Sequence, residues 1–548
     1  MAIVAPGHTQ AKNMTKLKTL AVLSAMLLLL GCSNGDGSAT RADKNMLRLA
    51  MAEEPPQLDS TRATDSVSIF VLGHVMEGLT RYGSGGAIIP GVAERWEVGE
   101  RKAIFHLRGR ARWADGKPVT AHDFVFAWRT VVDPKTASEY AFILYPVKNA
   151  EAVNAGKLPP SSLGVRAKDD RTLEVDLERP TGYFLSLTAF ATYLPLREDF
   201  YRARPGRYAA EAQDILANGP FVLTRWVHAA SLTFEKNRHY WDAAGVSIER
   251  IEVPYFTQDA NTRYNLFKDG KIDVTGLDRD LLGRAQADAF RMRSFATGSI
   301  FYSEFNHRAG RPTRNYHLRK ALQLVFDPST YVSKVIGIPG TRPGVSLIPS
   351  WVPGVEKPFR KEYPVQPVRP DLDEARRHLG IARQELGGTV PPLVWLTGDD
   401  PVTSREAEYF QYLLSSRLGI ALRIDKQTFK QRLAKMHQGD FDIAAAGWGP
   451  DYPDAMTFAD LFASWNDNNH GGWQNARYDA LIRKAQGSAD PRVRMKAMAE
   501  AERILLEDVA ILPKAEAASI YVVSPRLTGI VRHVVGPDPD YTRARIEE

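Results

Sequence analysis

Between Thr403 and Ala446 the chain passes through two helix-like and two strand-like segments, and that alternation limits the fold more than any other feature. Phe410, Leu413, Leu414 and Leu418 keep helical spacing behind a Thr403/Glu406 pair with capping-box spacing, and Gly419 is a natural stop. Ile420, Leu422 and Ile424 then alternate as in a strand. Phe429, Leu433 and Met436 return to helical spacing, and Phe441-Asp-Ile-Ala-Ala-Ala446 is again strand-like. Strand and helix in turn point to an α/β architecture with parallel strands. Ligands of such sheets sit beyond the carboxyl ends of the strands. The loop Gly447-Trp-Gly-Pro-Asp-Tyr-Pro-Asp454 stands at that position.

The first third reads similarly. Ile104, His106 and Arg108 alternate with Phe105 and Leu107, Asp115-Gly116 supplies a turn, and Thr120 with Asp123 has the spacing of a capping box. Phe124, Trp128 and Val131 then share one helical face. At 548 residues the chain exceeds one small core, so two or three lobes are expected. With 44% apolar and 25% charged residues it is neither a disordered chain nor a multi-span membrane protein. No internal repeat is evident.

The N-terminus carries a separate message. Lys12, Lys16 and Lys18 precede an apolar run from Leu20 to Leu30, as in a secretory signal. Those lysines supply three of the seven net positive charges, and the arginines elsewhere are scattered rather than striped, so no nucleic-acid partner is expected. Leu29-Leu30-Gly31-Cys32 resembles a bacterial lipobox. The resemblance implies a signal peptide over 1–31, lipidation of Cys32, a flexible tether over 32–45 and a membrane anchor. Either Met1 or Met14 serves as the start. Cys32 is the only cysteine, so no disulfide within the chain and no cysteine nucleophile is available.

Six segments, PGVAERWE (90–97), FHLRGRARWADGKPVTAHDFVFAW (105–128), VDPKTASEYA (132–141), NGPFVLTRW (218–226), KNRHYWD (236–242) and AGWGPDY (446–452), resemble the bacterial extracytoplasmic oligopeptide-binding proteins of ABC importers, the peptide/nickel-type family 5. The resemblance runs from about residue 47 to 545. It implies a two-lobed α/β clamp of the periplasmic-binding-protein type (type II, cluster C) with three domains and a two-segment hinge. The expected boundaries are 46–76, 200–298 and 516–548 for domain I, 77–199 for domain II and 299–515 for domain III. The implied partners are an oligopeptide and the permease and ATPase subunits of an importer, with a monomeric binding protein and no cofactor.

The resemblance also implies site roles. Asp451 matches the acid that pairs with the peptide's α-ammonium. Trp448 would wall that pocket, with Tyr452 beside it, while Gly447 and Gly449 would let backbone approach the ligand and Pro450 and Pro453 would stiffen the loop. Tyr140 would line the groove, Ser66 would pair its backbone with the peptide as an added strand, Phe429 would fill a pocket, and Glu304 would line another.

Three positions depart from the family. Ala445, Met436 and Thr403 stand where cationic residues take the peptide's carboxylate. Arg405, Lys430, Arg432 or His437 could substitute, the carboxylate could reach solvent, or the ligand is not a short free peptide. The segment after Pro513, KAEAAS, also lacks the family's tyrosines. A nickel chelate, haem or an opine-like compound is the alternative cargo, and a lipid-tethered chaperone or receptor the alternative role. Enzyme readings fail on inventory. There is no Gly-x-Ser-x-Gly elbow, His-Glu-x-x-His helix or P-loop, Gly83-Ser-Gly-Gly86 lacks the rest of a dinucleotide loop, and His437 and His470 read as surface or capping residues.

Overall fold

The central element of the computed structural model, which describes residues 45–83 and 87–547, is a seven-stranded mixed sheet. Strands Leu393–Gly398, Leu422–Gln427 and Ile443–Trp448 are its parallel part, with Trp395 opposite Ile443 and Leu393 opposite Leu422. Each is followed by helix or loop on the same edge, which gives the expected α/β alternation. On its other side Ile443–Trp448 runs antiparallel to Arg293–Phe305, with Ile300 opposite Trp448 and Glu304 opposite Ala444.

Element boundaries differ in detail from the sequence reading. The helix assigned to Thr403 begins at Pro401 and is capped by Asp400, whose carboxylate accepts from the Val402 and Thr403 amides. A proline at the first position loses no hydrogen bond, so the start moves upstream. Glu406, expected in a capping box, lies inside the helix and is buried. Ile420 is buried but precedes its strand. The helix Phe429–Gln438 has a true capping box, Thr428 with Gln431. Under the sheet Trp395 stacks on Phe410 with ring centroids 4.4 Å apart.

Two smaller sheets complete the fold. Met46–Met51, Arg250–Phe256, Ser231–Lys236 and Phe221–Val227 form one; Ala93–Val98, Lys102–Leu107, Thr172–Asp176 and Val165–Asp169 form the other. In Lys102–Leu107 the inward residues are Ala103, Phe105 and Leu107, as the period-two pattern requires. Thr120 and Asp123 make the expected capping box, and Phe124, Trp128 and Val131 are buried.

Two 13-residue strands, Arg293–Phe305 and Ile511–Val523, pair along most of their length. Their ladder breaks between Ala296 and Ile300, where Gly298 takes φ +78°, a conformation that disfavours a side chain. Cys32, the expected signal and the expected tether up to residue 44 lie outside the described residues. No helix among the described residues is long and apolar enough to cross a membrane.

Candidate ligand cleft

A cavity of about 670 Å³ opens beyond the carboxyl ends of the three parallel strands, within the usual size range of small-ligand sites. One wall is built from the segments just past those strands: Asp400 and Thr403, then Phe429, Arg432 and Met436, then Trp448 to Asp451. The opposite wall comes from Thr64 to Ser66, Ile69, Tyr140 and Phe190, with His533 to Asp538 closing the back.

Asp451 is buried, 6% exposed. Its backbone is held from two sides: its amide donates to Thr457 Oγ1 at 2.9 Å, and its carbonyl accepts from Tyr82 Oη at 2.7 Å. The carboxylate has one weak partner, Tyr140 Oη at 3.4 Å from Oδ1. Burial, then the neighbouring acid Asp460, push its pKa well above the ordinary aspartate range. Asp460 is itself raised to about 8, by burial and then by Asp454. Asp454 is paired with Arg494 at 2.8 Å. The loop therefore presents an acid that the protein leaves without a counter-charge, an expensive arrangement for a buried carboxylate.

Gly447 is required by packing, since a Cβ there would meet the Phe301 ring at 2.6 Å. A Cβ on Gly449 would meet only Ser299 Oγ at 3.5 Å, so that glycine leaves room on the cavity side. Trp448 is half-buried, its ring 6.2 Å from that of Tyr140, and its Nε1 has no partner.

The other end of the cavity holds the opposite charge. Arg432 donates from Nη1 to the Ala445 carbonyl at 2.6 Å, its Nε has no partner, and its guanidinium lies 5.5 Å from the centre of the Phe429 ring. Burial lowers its pKa; Glu53, Asp400 and Glu406 act on it without an ion-pair contact. Asp400 is committed to capping and Glu406 to a buried pair with Lys514, which also lines the cavity. Glu53, which lines a different cavity, is raised to about 7 by burial, against the field of Arg432. It shares the amide of Gln258 with Asp399 (2.9 and 3.1 Å).

The family model described as "Bacterial extracellular solute-binding proteins, family 5 Middle" matches residues 87–470. The chain belongs to this family. The dipeptide-binding protein DppE of Bacillus subtilis is 30% identical to this family 5 protein over 94% of this chain and 96% of its own length. The substrate-binding domain of an oligopeptide ABC transporter from Bacillus anthracis superposes with a TM-score of 0.88 at 35% identity, covering 92% of this chain and 99% of its own. Listeria monocytogenes OppA bound to peptide does so at 0.86 and 32%, with the same coverage. The two-lobed α/β clamp expected from sequence is the fold of the protein.

Of the residues singled out in the sequence of this solute-binding protein, Asp451, Trp448, Gly447, Gly449, Tyr140, Ser66 and Phe429 meet at the cavity. Two do not. Tyr452 stacks on Tyr183, ring centroids 5.2 Å apart, because the turn at Asp451 sends the next side chain into the core. Glu304 is 1% exposed and lies behind the wall, accepting from the Gly471 amide at 2.5 Å. Ser66 reaches the cavity as the first residue of the helix Ser66–Val75, so its backbone is helical rather than extended. His470, expected as a surface or capping residue, is 8% exposed and lines the cavity, and Arg432, one of the four cations that could substitute, is buried there. Arg405 pairs instead with Asp280, and Lys430 lines a different cavity. Sequence reasoning missed Tyr82, Thr457, Lys514 and His533, none of which sits in a motif. The one available signal was Lys514, a cation in a largely apolar strand whose only other charge is Glu516.

Proposed function

We propose that this family 5 protein captures oligopeptides outside the cytoplasm and delivers them to the permease and ATPase subunits of an ABC importer. The observation that carries this reading is Asp451, an acid buried at a strand's end with no cation to meet it. A peptide's α-ammonium supplies that cation, and a charge-assisted hydrogen bond of this kind contributes roughly 1.5–3 kcal/mol. Tyr140 donates to the same carboxylate, Trp448 walls the amine, and Gly449 leaves room for the first peptide unit. Phe429 packs against an apolar side chain further along.

Arg432 supplies the complement for the peptide's carboxylate, in place of the absent family cations at Ala445, Met436 and Thr403. Its anchor, Ala445, stands three strand positions and a three-residue loop from Asp451. At ~3.3 Å per residue that separates the charges by roughly 10–20 Å, the span of about three to six extended residues.

Closure desolvates both charges, so a ligand that neutralises them favours the closed form through contacts it makes only there. Domains I, II and III, with the boundaries expected from the family resemblance, are the moving parts. The hinge falls where those boundaries cut the paired strands Arg293–Phe305 and Ile511–Val523, beside the ladder break at Gly298. Lipid on Cys32 tethers the protein, a monomer, to the membrane. The protein has no catalytic role.

Titration calorimetry with tetra-alanine and its N-acetylated form tests the reading. Binding of the free peptide and at least tenfold weaker binding of the acetylated one are expected; equal affinities would remove Asp451 from its role.

A further inference from the structure

The loop that leaves the strand Lys102–Leu107 reads Arg108-Gly-Arg-Ala-Arg112, and the peptide reading makes no use of it. The guanidiniums of Arg108 and Arg110 stand 3.9 and 5.2 Å from the centre of the Trp241 ring. That ring is fixed from behind, because its Nε1 donates to the buried Glu77 at 2.5 Å. Arg171 joins them from the turn between the strands Val165–Asp169 and Thr172–Asp176. Its guanidinium lies over Gly109, where a Cβ would meet Nη1 at 2.7 Å. The missing side chain at Gly109 thus lets three like charges gather, and Arg112 follows on the same loop. Arg110, Arg112 and Arg171 are exposed.

Among the described residues none of these four arginines has an ion-pair partner, and the acids around them are engaged elsewhere. Asp115 pairs with Arg197 at 2.5 Å, Asp242 with Arg543, and Glu249 with Arg238 at 2.6 Å. In the turn of Arg171, Asp169 accepts from the Arg171 amide and Asp170 faces His122 at 3.6 Å. Like charges so crowded repel one another, and a surface of opposite sign relieves the repulsion. The chain enters the fold beside this cluster. The Asn45 carbonyl accepts from the Glu249 amide at 3.0 Å, and the Glu249 carboxylate holds Arg238, three positions before Trp241. Thirteen residue steps separate Asn45 from Cys32, so lipid on Cys32 lies within ~45 Å of Asn45. The field of an anionic membrane falls off within about 8 Å at physiological salt, so it acts on the face held closest to it.

We infer that Arg108, Arg110, Arg112 and Arg171 form a docking face for the anionic phospholipid headgroups of the membrane that carries the anchor. Guanidiniums match phosphate in charge and in hydrogen-bond geometry. The anchor keeps the face at high effective concentration, so a contact that is weak by itself persists. The inference rests on the lipid proposed above at Cys32.

The test is co-sedimentation of the mature chain carrying Cys32→Ser, made without lipid, with vesicles of phosphatidylglycerol and phosphatidylcholine in equal parts and with vesicles of phosphatidylcholine alone. Binding to the anionic vesicles only is expected. It falls steeply as salt rises from about 20 to about 300 mM and the Debye length shrinks from ~20 to ~6 Å. Each arginine at such a surface contributes about fivefold in affinity, so Arg110→Gln with Arg112→Gln weakens binding about twenty-fivefold. Arg423→Gln with Lys426→Gln, exposed on the strand Leu422–Gln427, makes the same change in net charge and leaves binding within about threefold. Equal losses in the two pairs, equal binding to neutral vesicles, or no binding to anionic vesicles at low salt overturns the docking face. The vesicle comparison and the salt series use no arginine variant, so they decide the matter even where a variant folds poorly. Intact-mass measurement of the protein extracted from membranes tests the anchor separately. Cys32 without lipid overturns the anchor reading and this inference with it; lipidated Cys32 with a failed vesicle arm overturns the docking face alone.

Discussion

The two ends of the cleft hold charges of opposite sign, and the chain builds them differently. The acidic end is one short loop: Trp448, Gly449, Pro450 and Asp451 are consecutive, and two hydrogen bonds to the backbone of Asp451 fix it. The basic end is assembled from distant pieces, with Arg432 on a helix, Asp400 and Glu406 on a preceding one, and Lys514 on a strand. At the acidic end the protein leaves an acid facing another acid. At the basic end it neutralises one cation internally, Lys514 through Glu406, and leaves the other bare. A local motif can hold a charge rigidly, whereas a composite site can be re-tuned by substitution at several places.

Removing the acid has the strongest effect. Asp451→Ala lowers affinity for a free-amine tetrapeptide by about thirtyfold or more, the cost of stripping one partner from a desolvated charge pair. Calorimetry reads the loss, and a smaller effect than at Arg432 would reverse the ranking of the two ends. Arg432→Gln costs about tenfold for peptides with a free carboxylate and nothing for their C-terminal amides. Equal losses for acid and amide would show that Arg432 acts through packing on Phe429.

The ends also differ in their response to pH. An acid whose pKa is raised on closure holds its proton more tightly closed than open. Closure of the empty cleft is therefore favoured as pH falls toward the ordinary aspartate range, and opposed as pH rises through the closed-state value. Asp460, at about 8, acts in the same sense. Arg432 stays charged throughout and adds no slope. Small-angle scattering of the ligand-free protein is expected to show a few-fold larger compact fraction at about pH 4.5 than at about pH 7.5, and Asp451→Asn to lose most of that difference. The smallest expected effect is at Gly449→Ala, roughly a two- to fivefold loss, because protein atoms leave space there and only the ligand contests it. No loss at all would place the peptide away from that glycine.

The same contrast explains what was legible in the sequence. Helix and strand periods between Thr403 and Ala446 located the sheet edge, because burial imposes those periods directly on consecutive residues. Asp451 was legible for the same reason: its motif is contiguous. Arg432 looked like any helical cation, and only the fold reveals that its face turns toward a cavity rather than water. Tyr452 and Glu304 failed in the opposite direction. Proximity in sequence to a lining residue does not fix which way a side chain turns, and both were drawn into the interior by partners far along the chain, Tyr183 and Gly471. Tyr82 carries no sequence signal, since its hydroxyl acts on a backbone 369 positions away.

That tyrosine has a consequence for the importer. Tyr82 grips the carbonyl of residue 451, and Tyr183 lies flat on Tyr452 with Arg494 over its ring, so the fastening of segment 77–199 to the Asp451 loop is made entirely of protein. On the proposed reading, cargo favours this fastening by cancelling the buried charges of Asp451 and Arg432, and contributes none of its parts. On that same reading every accepted peptide yields one outer contour, and a permease that reads contour alone serves a mixed diet with a single docking face.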